Sequence, residues 1–114
     1  MPTARLTINP DPDQHGRFYV IVRGEGFHPA ADNATVFIRV RGADQWVDDK
    51  LFNFPDAPTP LRFLLDPGLR TFTISKNVAG SKLNEDWGDD EVYAIVQVTG
   101  FGDVKTNTVK GNWS

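Results

Sequence analysis

The sequence predicts an all-β protein, an antiparallel sandwich of seven to eight strands forming a single domain over residues 1–114. Three observations predict it. Short runs rich in Val, Ile, Phe and Thr, which suit a pleated surface, are separated by clusters of Gly, Pro, Asn and Asp. Within the runs apolar residues recur with a period of two, as side chains do on a strand. No window carries a sustained apolar stripe at helical spacing, and Ala79–Asn84 allows one helical turn at most.

The strands follow in order. Leu6–Ile8 comes first and ends at the turn Asn9-Pro10-Asp11-Pro12-Asp13. Arg17–Arg23 places Phe18, Val20 and Val22 on one face and Arg17 and Arg23 on the other, before a turn at Gly24-Glu25-Gly26. Thr35–Arg41 alternates Val36, Ile38 and Val40 with Thr35, Phe37, Arg39 and Arg41. Gln45–Val47 leads into Leu51-Phe52, and Pro55 through Pro60 reads as a loop. Leu61–Leu65 and Thr71–Ser75 flank Asp66-Pro67-Gly68, a tight hairpin in which Pro presets one turn dihedral and Gly accepts a positive φ. Val92–Thr99 is the longest run, with Val92, Ala94, Val96 and Val98 opposite Tyr93, Ile95, Gln97 and Thr99. Gly100-Phe101-Gly102-Asp103 turns the chain into a last strand, Lys105–Lys110. Val20, Val22, Val36, Ile38, Phe72, Ile74, Val96 and Val98 are the expected core.

At 114 residues the chain has the length of one domain and buries roughly 65% of the surface its unfolded form exposes. Eight Phe, three Trp and two Tyr argue for a packed core rather than a disordered tail. The net charge of −3 argues against a nucleic-acid partner, which calls for a basic face. Without cysteine there are no disulfides, thiolate metal sites or thiol nucleophiles. No run approaches the ~20 apolar residues of a spanning helix, so membrane insertion is not expected. Nor does the N-terminus carry the apolar stretch of a signal peptide. A complete chain is then expected in the cytoplasm, and an excised domain at the cell surface or secreted.

The stretch Phe18-Tyr19-Val20-Ile21-Val22-Arg23-Gly24-Glu25-Gly26-Phe27-His28-Pro29 resembles the start of bacterial immunoglobulin-like domains, in particular the IPT/TIG group. There an apolar strand runs into Gly-x-Gly-Phe and then Pro, and a second apolar strand follows, here Thr35 to Arg41. Thr106 to Trp113 is similar to the last strand of such domains. The sequence departs from that pattern between Gly42 and Pro60 and in the acidic segment around Trp87. The resemblance implies an immunoglobulin-like Greek-key sandwich without catalysis or cofactor, often modular and often at a cell surface.

His15 and His28 are well separated, and Ser75, Ser81 and Ser114 lack the context of an activated nucleophile. Gly24-Glu25-Gly26 is followed by no helix start, so it reads as a turn or a close backbone approach rather than a phosphate loop. Asn84–Glu91 packs five carboxylates into eight residues. Glu85, Asp86, Asp89 and Asp90 are candidate calcium ligands, set against a solvated acidic loop. Asp48-Asp49 and Asp11/Asp13 are further acidic pairs. Trp46, Trp87 and Trp113 suit either a sugar-stacking platform or the ends of a small core.

Two functions are therefore expected. The first is a non-enzymatic structural or protein-interaction module whose partner is another protein or a flanking domain. The alternative is a carbohydrate-binding module, calcium-assisted or not. If Val36, Ile38 and Val40 face the core, Phe37 and Arg39 face outward, and parity places Tyr93 and Ile95 beside them. In an immunoglobulin-like topology these two strands share a sheet. Phe37, Arg39, Tyr93 and Ile95 are thus the candidate interaction face, unless residues 46–60 fold over them.

Overall fold

The structure, a computed structural model, describes residues 2–27, 35–43, 49–60, 65–66, 71–83, 90–99, 102–111 and 113. Positions 49, 56–60, 65–66 and 90 are described by backbone alone. The described chain forms β1 Thr3–Pro10, β2 Arg17–Glu25, β3 Thr35–Ala43, β4 Asp49–Pro60, β5 Leu65–Asp66, β6 Thr71–Ala79, β7 Asp90–Val98, β8 Gly102–Lys105 and β9 Val109–Gly111. Among the described residues a 3₁₀ turn, Gly80–Lys82, matches the one helical turn expected after β6.

The strands make an antiparallel two-sheet sandwich. One sheet has the order β1-β2-β6-β5, and the other has β4-β3-β7-β8, with β9 also paired to β7. Lettered in chain order with β4 as C′, the strands read A-B-E-D over C′-C-F-G. The core lies between the sheets. Leu6, Val20, Val22 and Phe72 meet Val36, Ile38, Val40, Phe54, Val92, Ala94, Val96 and Val98, all buried. Their alternation with outward residues is the period-two pattern of the sequence realised in space. Seven of the eight expected core residues are buried, and Ile74 is half-buried. Ile74, opposite Val22 in β2, packs against the core from its partly buried position.

Other departures from the expected elements have local causes. Pro55 through Pro60 was expected as a loop but belongs to β4. β4 is an edge strand, where a missing N–H costs no ladder bond. Its register jumps from Ile38↔Phe54 to Val36↔Thr59, so the extra residues bulge opposite Phe37. Gly24 and Glu25 continue β2 instead of turning. A Cβ at Gly24 would lie 2.3 Å from the Phe72 ring, so glycine permits a close approach, while Gly26 supplies the positive φ of 77° where the strand ends. The hairpin expected at Asp66-Pro67-Gly68 is framed by antiparallel pairs Leu65↔Phe72 and Asp66↔Thr71, and residues 67–70 lie outside the described residues.

The last expected strand is split. β8 pairs Lys105 with Ile95, whereas β9 pairs Val109 with Val92, so one extra residue is inserted between them. At the insertion the Thr106 N–H donates to the Ala94 carbonyl at 2.9 Å, and Thr106 Oγ1 accepts from the Ala94 N–H at 2.9 Å. The hydroxyl replaces a backbone carbonyl in the ladder and satisfies a buried donor. Next to it, Asn107 Oδ1 accepts from the Leu6 N–H at 2.8 Å, and its Nδ2 donates to the Leu6 carbonyl at 3.1 Å. One side-chain amide thereby caps part of the β1 edge and ties the two sheets together.

Candidate functional site

β3 and β7 present their outward rows side by side, with Arg41 opposite Tyr93, Arg39 opposite Ile95 and Phe37 opposite Gln97. β8 continues the rows, with Lys105 opposite Ile95 and Asp103 opposite Gln97. The four residues expected to form an interaction face are thus brought together on one sheet. They do not form an open apolar patch. Tyr93 is only 5% exposed, while Phe37, Arg39 and Ile95 are half-buried.

Cationic arms account for part of that cover. Lys105 Nζ lies 4.3 Å from the centroid of the Tyr93 ring, a cation–π contact. Arg39 starts on β3 and reaches Asp103 on β8, where its Nη2 meets Oδ2 at 2.8 Å. β7 lies between those strands, so the arginine must span two strand spacings, roughly 9–10 Å, across the outward row of β7. One guanidinium nitrogen gains nothing from this arrangement: Arg39 Nε is buried and has no hydrogen-bond acceptor among the described residues. Of residues 46–60, the candidate cover for this face, 49–60 form β4 beside β3 in the same sheet, and 46–48 lie outside the described residues.

The outer face of the other sheet differs in character. Its rows are Asn9-Tyr19-Asn77, Thr7-Ile21-Ser75, Arg5-Arg23-Thr73 and Thr3-Glu25-Thr71. Tyr19, at 38%, is the exposed large apolar side chain among the described residues. Beside it Asn77 Nδ2 donates to Asp11 Oδ2 at 2.7 Å, and Asn77 Oδ1 accepts from Arg17 Nε. Asp11 also takes the N–H of Asp13 at 2.8 Å, closing the β1–β2 turn. That backbone N–H, helped by Asn77, the Gln14 backbone and the Arg17 charge, holds the Asp11 carboxyl below its ordinary value despite the opposing effect of burial. One carboxylate oxygen is used inside the turn and the other on Asn77 of β6, which gives Asp11 a structural task.

The remaining candidates fall elsewhere. Glu85, Asp86 and Asp89 lie outside the described residues, and Asp90 opens β7. Among the described residues no group of three or more metal-ligating side chains is assembled. His15 is exposed in the β1–β2 turn, and His28 lies outside the described residues. Trp113 is buried at the end of the core, and its carbonyl would lie 1.8 Å from a Cβ at Gly80. Trp46 and Trp87 lie outside the described residues. Sequence parity missed the reach of Arg39 to Asp103, because that contact needs the β7–β8 register. The alternation of charge along the two strands was its only advance signal.

No protein-family model matches the chain, and no curated protein matches it. Among solved structures it is similar to the solution structure of a protein described as late embryogenesis abundant (LEA). The two share 11% identity with a TM-score of 0.48, over 97% of this chain and 69% of the other.

Proposed function

We propose that this chain is a non-enzymatic immunoglobulin-like module of the IPT/TIG kind that works through protein contacts. The observation carrying the proposal is the outer face of β3, β7 and β8, where Phe37, Tyr93 and Ile95 lie in adjoining rows with Arg39 among them. Aromatic and aliphatic centres accompanied by arginine are the usual make-up of protein-contact hot spots. The strand order A-B-E-D over C′-C-F-G supports the immunoglobulin-like part of the reading.

A photo-crosslinking residue at Phe37, introduced in the source cells, is expected to give a discrete protein adduct. The same residue at Thr7, on the opposite outer face, should not. Equal adducts from both positions, or none from Phe37, would overturn the proposal. The second reading, carbohydrate binding, is favoured by one observation, the exposed Tyr19 ring set between Asn9 and Asn77 in register. A thermal-shift screen with a glycan panel, with and without calcium, tests it. The second reading holds only if a glycan raises Tm and Tyr19→Ala abolishes that rise.

A further inference from the structure

We propose that the free edge of β1 is a strand-addition site for the β1 edge of a second copy of this chain, and that Asn107 holds the site closed in the monomer. This edge belongs to the other sheet from the β3-β7-β8 face, so neither surface depends on the other.

The direction of the backbone groups is the first ground. Among the described residues β1 pairs with β2 on one side and with no strand on the other. Leu6 turns its N–H and carbonyl to Asn107, and so away from β2. Backbone groups alternate along a strand, so Ala4, Ile8 and Pro10, with Pro2 just before the strand, point to the same free side. Asp11 keeps the alternation, because its N–H donates to the Arg17 carbonyl of β2 at 2.9 Å. The free stations are thus Ala4, Leu6 and Ile8, bounded by two prolines that offer no N–H. To Leu6, Asn107 supplies one acceptor and one donor, at 2.8 and 3.1 Å. Those are the two bonds that an opposing strand residue exchanges in an antiparallel pair.

The order of the stations selects the partner. An antiparallel copy of β1, related by a two-fold axis at Leu6, sets Leu6 opposite Leu6, Ala4 opposite Ile8 and Pro2 opposite Pro10. The prolines then face each other, where neither needs a donor. On the outward face the same register sets Arg5 against Thr7 and Thr3 against Asn9, so no like charges stand directly opposite. On the inward face Ala4 and Ile8, half-buried and packed against the core, gain cover from each other. Two four-stranded sheets thereby join into one. The β4 edge lacks this fit: its register slips twice against β3, and Pro55, Pro58 and Pro60 remove donors along it.

The closed and paired states exclude each other, since Asn107 and the second copy compete for Leu6. Residues 106–108 belong to no strand. Thr106 is fixed to Ala94 through its N–H and its hydroxyl, so opening displaces Asn107 and Thr108 while β8 stays in place. One strand pair is small beside the ~1,200 Å² at which stable interfaces begin. The wild-type chain therefore stays monomeric, and loss of Asn107 tips it towards the dimer.

The test is sedimentation velocity of the full chain from micromolar to millimolar concentration, with amide hydrogen exchange at both ends of the range. Wild type should remain a monomer. Asn107→Ala should dimerise with a dissociation constant at least about tenfold below any wild-type value. In the concentrated sample its Ala4, Leu6 and Ile8 amides should gain protection, whereas in dilute solution the Leu6 amide exchanges faster than in wild type. Adding Ala4→Pro, which removes a free-edge donor and no ladder bond to β2, should return Asn107→Ala to the monomer. Asn107→Asp keeps the acceptor for the Leu6 N–H and loses the donor, so it should dimerise to an extent between the two. It is the variant to read if far-UV circular dichroism shows Asn107→Ala unfolded.

A folded Asn107 variant that stays monomeric at every concentration would overturn the inference. A dimer that survives Ala4→Pro would overturn it too, because the contact would then lie on another surface. So would a wild-type dimer as tight as that of Asn107→Ala, since Asn107 would gate nothing. Growth past the dimer would count equally against it, because a two-fold strand pair closes at two copies.

Discussion

β2 and β3 occupy equivalent places, each an interior strand of its sheet beside an edge strand, yet their outward rows meet different environments. Along β3 every outward residue from Thr35 to Ala43 is half-buried. Along β2, Tyr19, Arg23 and Glu25 are exposed, and only Arg17 and Ile21 are half-covered. The inner rows are the same in kind, valines and isoleucine buried completely. The difference arises in the neighbours. β2 is flanked by threonine, serine and asparagine, which are too short to reach across a strand, and by Arg5, which is long enough but stays exposed. β3 is flanked by β7, with β8 beyond it, and Tyr93 and Lys105 of those strands are long enough to lie over the sheet, as is Arg39 of β3 itself. Two strands with the same alternation can therefore carry a solvated face and a covered one. On the β2 face the Arg23–Glu25 pair, 3.3 Å apart and more than half exposed, contributes little to stability.

The largest expected effect tests what the two faces share. Ile38→Ala beneath one face and Phe72→Ala beneath the other should each cost about 2–5 kcal/mol, measured from urea midpoints. A cost below ~1 kcal/mol for either would mean that the sheets do not rest on one common core. The faces themselves are compared by two tyrosines. Tyr93→Ala removes a buried ring and should cost about 2–3 kcal/mol, whereas Tyr19→Ala should stay within about 0.5–1 kcal/mol. Equal costs would erase the distinction drawn between the faces.

A smaller effect is expected where the sheets are joined. Asn107→Ala strands the Leu6 N–H and carbonyl at the β1 edge and should cost about 1–2 kcal/mol. Hydrogen exchange at the Leu6 amide should rise with it, while amides in β3 stay protected.

The smallest effect is electrostatic and belongs to the β2 side. The Asp11 carboxyl sits below its ordinary value in the folded chain. Its contribution is therefore complete above the unfolded value of about 3.9 and is lost as pH falls through the lower folded value. Asp11→Asn should flatten the acid limb of stability between about pH 5 and pH 2 and leave neutral-pH behaviour close to wild type. An unchanged acid limb would show that the turn does not depend on the ionised carboxylate.

Much of this architecture was legible in particular residues. Val36-Phe37-Ile38-Arg39-Val40 could be nothing but a strand with one apolar face, because a side-chain period of two is a local property of extended backbone. Gly24 and Gly26 announced a constraint, although the sequence could not say that one relieves a ring and the other a dihedral. The parity that placed Phe37, Arg39, Tyr93 and Ile95 on one surface followed once the two strands were taken as neighbours. Pro55 to Pro60 misled, because proline forbids a ladder bond only where a neighbour would use it, and edge position is a tertiary fact.

What the sequence by itself determined is where the alternating strands β2, β3 and β7 run and the inward or outward sense of their side chains, since both depend on neighbours a residue or two away. What only the tertiary structure decided is how far each outward side chain is covered and whom it meets. Thr106 and Asn107 read as ordinary strand residues until the register of β7 leaves one residue unpaired between β8 and β9 and turns the Asn107 amide onto Leu6. Arg39 and Asp103 are 64 residues apart in the chain. Their pairing requires β3, β7 and β8 to lie side by side, and such alignment is settled by the burial of the shared core rather than by any preference of the two residues for each other.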